Sequence, residues 1–445
     1  MNTPICDFVE NYINSNALRC HMPGHKGKDF LGFEKYDITE FFGADSLYEA
    51  TGIIKQSEDN AGKIFGANTF YSTEGSSQCI RALIYLALQF AKQNGKNTHI
   101  FATRNVHKTF LSALNLLDFD VTWIYGKNQT SYLSCKIDAD DIECALKSAK
   151  TKPCALYITS PDYLGNMQDI KKIADVCHKF GVLLLVDNAH GAYLKFLEES
   201  NHPIDLGADI VCDSAHKTLP ALTGGAYLHI SYNAPSFFKE NAKEALGMFG
   251  STSPSYLILQ SLDKINPYLY YDFKNELSSF IKDTNKVKEI LVSNGYSFCG
   301  DEKLKLTLDI KKYGYTGFSF ADILIKNNIY PEFYDNDFVV LMLTEQTGKN
   351  DLKRLTDVLL SIKSKPEVFD APPVLHKPKR IMSVKEALFS KREILDISKC
   401  KGRVFASLSI FCPPAVPIII CGEEIDESAI NCFSYYGVKK CEVVK

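Results

Sequence analysis

From Ser76 onward, apolar residues recur at Ile80, Leu83, Ile84, Ala87 and Leu88, the three-and-four spacing of a helix that buries one face. A strand-like run over 98–102 follows, and the two together open a β/α alternation. It continues through short apolar runs at 155–159, 182–186, 209–212 and 225–230, with a helical pattern from Ile170 to Phe180 among them. Runs that are apolar throughout, rather than at every second position, predict strands covered on both faces and therefore a mostly parallel sheet.

A long helical pattern after Tyr271 leads into a second α/β segment, with strands predicted over 304–310 and 338–343. Proline and lysine crowd residues 366–379, which predicts a linker. Beyond it, Ser383-Val384-Lys385-Glu386 ahead of an apolar run predicts a capping box at the start of a small C-terminal subdomain. The first sixty residues show no such periodicity and are rich in Gly, His and Phe. The expected organisation is an N-terminal arm over 1–60, a large α/β domain over 61–270, a small α/β domain over 271–365 and a subdomain over 366–445. No internal repeat or low-complexity tract interrupts it.

Composition narrows the function more by exclusion than by indication. With 445 residues, 45% hydrophobic, the chain is long enough for two or three cored domains. A net charge of -3 with scattered Lys and Arg gives no attraction to nucleic acid or anionic membranes. Its fourteen cysteines lack both CxxC pairs and metal spacing with histidine, in a chain too large to need disulfide staples. They read as reduced thiols of a cytoplasmic protein. The start, Met1-Asn2-Thr3-Pro4-Ile5, has no signal-peptide layout, and no apolar run reaches bilayer length.

The chemistry concentrates where predicted strands end. Asp187, in Asp187-Asn188-Ala189-His190-Gly191, and Lys217, in Ser214-Ala215-His216-Lys217, each follow a strand, at the edge where open α/β sheets collect ligands. A carboxylate and an amine so placed suit pyridoxal phosphate (PLP), the first facing the pyridine nitrogen and the second the aldehyde. Taken alone, Lys217 reads as a turn lysine and Asp187 as a helix cap. Gly75-Ser76-Ser77 opens the first clear helix, so its amides and hydroxyls form either a phosphate site or an ordinary Ser cap. His107 follows the 98–102 strand and either stacks on a cofactor ring or caps a helix. Ser214 and His216 flank the lysine, where each binds phosphate or substrate carboxylate or only fixes the loop.

Other chemistries lack their parts. Ser214-Ala215-His216-Lys217 fits the S-x-x-K of serine acyl enzymes, but the S-D-N and K-T-G partners are missing. His21 and His25 are four apart, yet Pro23-Gly24 between them forbids the helix that would align them on a metal. No phosphate loop of the G-x-x-x-x-G-K-[ST] type occurs.

Six segments in order, Met22-Pro23-Gly24-His25-Lys26, Thr73-Glu74-Gly75-Ser76-Ser77, Arg104-Asn105-Val106-His107-Lys108, Ser160-Pro161-Asp162-Tyr163-Leu164-Gly165, Asp187-Asn188-Ala189-His190-Gly191-Ala192 and Ser214-Ala215-His216-Lys217-Thr218-Leu219-Pro220, resemble the Orn/Lys/Arg decarboxylases. Thr252-Ser253-Pro254-Ser255-Tyr256, Gly402-Arg403-Val404, Cys412-Pro413-Pro414 and Gly422-Glu423 extend the resemblance over nearly the whole chain. It resembles the short form, without the N-terminal wing domain. The resemblance implies the aspartate aminotransferase fold (fold type I), with a mostly parallel seven-stranded sheet and a smaller α/β domain. It also implies PLP, a basic amino acid substrate in polyamine metabolism, and a homodimer with shared active sites.

Residue by residue, it implies Lys217 as Schiff-base lysine, Asp187 on the pyridine nitrogen and His107 stacked on the ring. Ser76, Ser77 and Ser214 fall on the phosphate, and Thr252 on a neighbour's phosphate. Gly75, Ala189, His190 and His216 complete the implied cofactor contacts. The chain departs from the family where Ser407 replaces an acid, Ala415 a glycine, and Thr223-Gly224-Gly225 a Thr-Gln pair. If the lost acid binds the substrate's distal cation, Glu332 and Asp335 are the candidate substitutes. A transaminase, another amino acid lyase, and a non-catalytic paralogue that pairs with an active relative stay open beside the decarboxylase.

Overall fold

The computed structural model describes residues 1–127, 131–410 and 415–445, so Cys412-Pro413-Pro414 lies outside the described residues. The chain forms two compact units, one of residues 1–101, 138–160 and 169–278, the other of 102–137, 161–168 and 279–445.

A seven-stranded sheet is built from β1 (Asn68–Ser72), β2 (His99–Thr103), β3 (Asp120–Ile124), β4 (Ala155–Thr159), β5 (Leu183–Asp187), β6 (Ile210–Asp213) and β7 (Ala226–Ile230). Its order is β1-β7-β6-β5-β4-β2-β3. β4, β5 and β6 run parallel, as their uniformly apolar sequences require, whereas β7 runs antiparallel to both β6 and β1. That reversal brings the start of β7 to the edge where β1, β5 and β6 end. Ser72 pairs with Ala226 there, and Asp187 with Cys212.

The helices of the first unit include α1 (Pro4–Asn14), α2 (Ile53–Phe65) and α3 (Ser76–Gln93). The predicted stripe Ile80, Leu83, Ile84, Ala87 and Leu88 on α3 is buried, against β5, β6 and β7. Each buried Leu or Ile among them contributes about 1.5–3 kcal/mol. The arm is not irregular throughout, because α1 and α2 lie within its first sixty-five residues. Their polar faces hid them from a hydrophobicity reading: α2 buries Ser57 and Glu58, which bond to Asp263 and Lys243 at 2.5 Å each. Asp263 also accepts the Ile5 and Cys6 amides that open α1. No helix among the described residues is long and apolar enough to cross a membrane.

The second unit carries a four-stranded antiparallel sheet of β8 (Phe298–Cys299), β9 (Lys305–Asp309), β10 (Phe333–Tyr334) and β11 (Phe338–Met342), in the order β10-β11-β9-β8. Residues 363–379 form no helix or strand, and the capping box between Ser383 and Glu386 is formed. An antiparallel pair of β12 (Arg392–Asp396) and β13 (Lys440–Val444) completes the C-terminal part.

Two positions in this unit carry an energetic cost in the folded state. Ala415 is buried in the left-handed region at φ 57°, where an alanine costs about 1 kcal/mol relative to a residue without Cβ. Ala415→Gly is expected to stabilise the protein by about 0.5–1 kcal/mol, read as a rise in the denaturant midpoint at unchanged slope.

Asp335 turns the chain between β10 and β11, accepting the Asp337 and Phe338 amides at 2.7 and 2.8 Å. Burial, and then the neighbouring Asp337, push its carboxyl up to about 7. A folded-state value above the unfolded one means stability is full at low pH and is lost as pH rises through about 7. The wild type should therefore lose stability between pH 5 and 8, and Asp335→Asn should flatten that slope by on the order of a few kcal/mol in denaturant titrations at the two pH values.

Candidate active site

Lys217 and Asp187 lie in the first unit, on loops that leave neighbouring parallel strands. Asp187 ends β5 and is 2% exposed. Its Oδ2 accepts the Tyr157 hydroxyl at 3.0 Å, and its Oδ1 accepts the Ala189 amide at 3.2 Å. Cys212 Sγ stands 3.6 Å from the same Oδ1. Burial holds the Asp187 carboxyl above the usual carboxylate range, while the charge of Lys217, the Tyr157 hydroxyl and the Ala189 amide pull it back. Among the described residues no cation forms an ion pair with it, so this acid is set deep in the protein with hydrogen bonds but without a counter-charge in contact.

Lys217 sits on the short helix Ala215–Thr218, which begins one residue after β6 ends. Its Nζ is 3.1 Å from His190 Nε2. His216 donates from Nδ1 to the Gly225 carbonyl at 3.0 Å, so it ties the lysine loop to the start of β7. Ser214 Oγ donates to Ser76 Oγ at 2.7 Å, which joins the lysine loop to the first turn of α3. Ala189 and His190 are both buried on the loop after β5. The structure thus brings Ser76, Asp187, Ala189, His190, Ser214, His216 and Lys217 into one connected set, with Gly75 and Ser77 flanking Ser76.

The first turn of α3 has the form an anion site needs. Gly75 stands at φ 70°, ψ 178°, and a Cβ there would meet nothing within 4 Å, so space lies open before the helix amides. The Gly75 amide itself donates to the Gly224 carbonyl at 2.8 Å. Gly224, at φ 99°, has no room for a Cβ, which would fall 3.0 Å from the Thr73 carbonyl oxygen. The departure at Gly224 is therefore a fitted turn that supports the Gly75 loop.

His107 belongs to the second unit and caps α4 (Lys108–Leu117), its Nδ1 accepting the Thr109 amide at 3.3 Å and standing 2.8 Å from Thr109 Oγ1. The cap occupies one ring edge. Within the same unit, Arg104 forms a buried ion pair with Glu423 at 2.6 Å, and the Lys108 amide donates to the Ala415 carbonyl at 2.8 Å. The segment that carries His107 is thereby tied at two points to the C-terminal part. Thr252 lies apart, in the exposed bend before the helix Tyr256–Tyr271, and among the described residues no hydrogen bond joins it to the Lys217 cluster.

The candidate substitutes for the lost acid behave differently from one another. Glu332 Oε1 accepts the Tyr163 hydroxyl at 3.0 Å. Asp335 is committed to its turn, as described above. Ser407 Oγ donates to the Ser409 carbonyl at 2.9 Å, a local bond that no acid could make in ionised form.

A PLP molecule fits the donor set. The buried Asp187 carboxylate suits a protonated ring nitrogen, the Lys217 amine an aldehyde, and the open turn at Gly75 a phosphate. Sequence reasoning missed Tyr157, which sits inside an unbroken apolar strand, and the buried network around Asp213. Nothing in the pattern of either marks a polar role.

Residues 3–300 match the family described as Orn/Lys/Arg decarboxylase, major domain. An arginine decarboxylase of Bacillus subtilis (strain 168) is 28% identical over 472 residues, spanning 96% of this chain and 92% of its own. The uncharacterized protein YaaO of the same strain is also 28% identical, over 97% of this chain and 93% of its own. Among solved structures, lysine decarboxylase A from Pseudomonas aeruginosa superposes with TM-score 0.83 at 16% identity, over 99% of this chain and 80% of its own. The Francisella novicida lysine decarboxylase LdcF gives TM-score 0.79 at 16% identity, over 100% and 81%.

Proposed function

The chain belongs to the Orn/Lys/Arg decarboxylase family, and we propose that it removes the α-carboxylate of a basic amino acid with PLP held between Lys217 and Asp187. Arginine is the first substrate to test, because relatives similar over 96% of the chain carry the name arginine decarboxylase. The observation that carries the reading is the pairing, at one sheet edge, of a buried carboxylate with an amine on the next strand's loop whose charge acts on it.

PLP, when bound, supplies an electron-withdrawing ring that stabilises charge developing at the amino acid's α-carbon. The protein's part is to hold and to polarise. Asp187, kept dry and oriented by Tyr157 and Ala189, retains a proton on the ring nitrogen. Lys217 Nζ takes up and releases protons, and His190 beside it moderates that exchange. The Gly75 turn with Ser76, Ser77 and Ser214 would hold the phosphate, and His107 keeps the ring-stacking role that the family resemblance implies. In a homodimer the exposed Thr252 turn is the piece available to reach the other subunit's phosphate.

The purified protein is tested with arginine, lysine and ornithine, following carbon dioxide and the corresponding amine. Equimolar carbon dioxide and amine from one of them is the expected result. Keto acid without carbon dioxide overturns the decarboxylase reading in favour of a transaminase. A protein that leaves PLP's spectrum unchanged overturns cofactor use altogether and leaves the non-catalytic paralogue.

A further inference from the structure

We propose that Asp213 is a positioning residue whose buried carboxylate, held by Asn188, His202 and His229, sets the spacing between Asp187 and Lys217. This rests on the cofactor reading above, in which those two residues hold opposite ends of PLP.

Asp213 is the last residue of β6, and the chain runs from it through Ser214 directly into the helix that carries Lys217. Its Oδ1 accepts Asn188 Nδ2 at 2.7 Å, and Asn188 immediately follows Asp187. Its Oδ2 accepts His202 Nε2 at 2.9 Å and His229 Nε2 at 3.2 Å. All four side chains are fully buried. His229 lies on β7, opposite Thr69 of β1, and its Nδ1 stands 2.9 Å from Thr69 Oγ1. A single carboxylate therefore links the exits of β5 and β6 to β7 and, through His229, to β1, the strand that leads into the Gly75 turn.

Burial alone would raise the Asp213 carboxyl, but His202 and His229 outweigh it and hold it below the usual range. The group stays an anion in a dry place, which a protein tolerates only when good geometry fills its lone pairs. Three donors from three segments do so here, and each restricts where its own segment can sit. An apolar residue would fill the same space without fixing these angles.

A metal is the alternative occupant, since the two histidines and the acid converge on one point. The hydrogen bonding opposes it. His202 Nδ1 accepts the Ile204 amide at 3.3 Å, so the ring proton is on Nε2, the nitrogen that faces Asp213. A histidine that binds metal through Nε2 carries its proton on Nδ1 and donates it outward.

The test compares Asp213→Asn, His202→Leu and His202→Gln with the wild type, all reconstituted with PLP. PLP dissociation constant, visible circular dichroism and melting temperature are recorded for each. Asp213→Asn and His202→Leu are expected to weaken PLP binding by about tenfold or more and to alter the visible dichroic band, which reports ring orientation. His202→Gln retains an N–H donor and should stay within about threefold of the wild type. If Asp213→Asn does not fold, the His202 pair decides. Lower melting temperatures with wild-type PLP affinity and an unchanged band would show a purely structural network and overturn the proposal. Borohydride reduction of the wild type separates the two readings: no PLP adduct on Lys217 refutes the cofactor assignment itself, whereas an adduct with unaffected variants refutes only the role of Asp213.

Discussion

Lys217→Ala is expected to abolish both the visible absorption of the PLP-loaded protein and its turnover, the latter by at least about 10⁴-fold, the order seen when an enzyme loses its reacting side chain. The loss should be specific rather than a failure to fold. Lys217 is only half-buried, and its Nζ stands 3.1 Å from His190 Nε2. The helix that carries it is anchored independently, by Ser214 to Ser76 and by His216 to the Gly225 carbonyl. A cooperative melt close to that of the apo wild type should therefore accompany the inactive, colourless variant. A further electrostatic consequence separates this lysine from an ordinary turn residue. Its charge lowers the Asp187 carboxyl, so removing it pushes that buried acid higher still. Retained colour, or turnover within tenfold of the wild type, would move the reacting amine elsewhere in the chain.

The parts of this protein that can be read from sequence are those whose signal is local. The apolar runs of β4, β5 and β6 and the stripe on α3 announce themselves, because both faces of a parallel strand and one face of a helix must be dry. Asp187 stands out because it closes such a run at the sheet's edge, and Lys217 because it lies on the loop that leaves the neighbouring run. The antiparallel course of β7 was not legible, since its apolar run has the same composition as its parallel neighbours. Buried polar networks were the larger gap. Ser57, Glu58 and Asp263 in one unit core, and Asp213 with its two histidines, are satisfied by partners distant in sequence. No periodicity records such pairings, and hydrophobicity counts each of these residues as surface. The departures from the family pattern gained meaning only from geometry. Gly224 proved to be a fitted turn, Ala415 a strained one, and Ser407 a donor to its own loop.

Asp187→Asn should divide stability from function. Among the described residues Asp187 has no cation in contact, and burial raises its carboxyl above the unfolded value. A group shifted in this direction adds stability that is complete below the unfolded pKa and disappears as pH rises through the folded one. As pH rises the apo wild type therefore bears a growing cost of ionising a dry carboxyl, offset only in part by Lys217, Tyr157 and Ala189. Asparagine removes that cost while leaving a side-chain carbonyl able to accept from Tyr157 or Ala189. Apo Asp187→Asn is expected to melt higher than apo wild type at pH 8, with the difference shrinking toward pH 5. Loading PLP should invert the order, because the wild-type carboxylate then has the cationic ring nitrogen that its site lacks. Activity should fall by about 10²–10³-fold in kcat, the scale set by losing one preorganised electrostatic contact, with a smaller change in KM. Melting curves of both proteins, apo and loaded, at the two pH values decide the matter. Equal melting temperatures in the apo state, together with wild-type kcat, would show that this carboxylate is a helix-capping residue and that the ring nitrogen is met by another group.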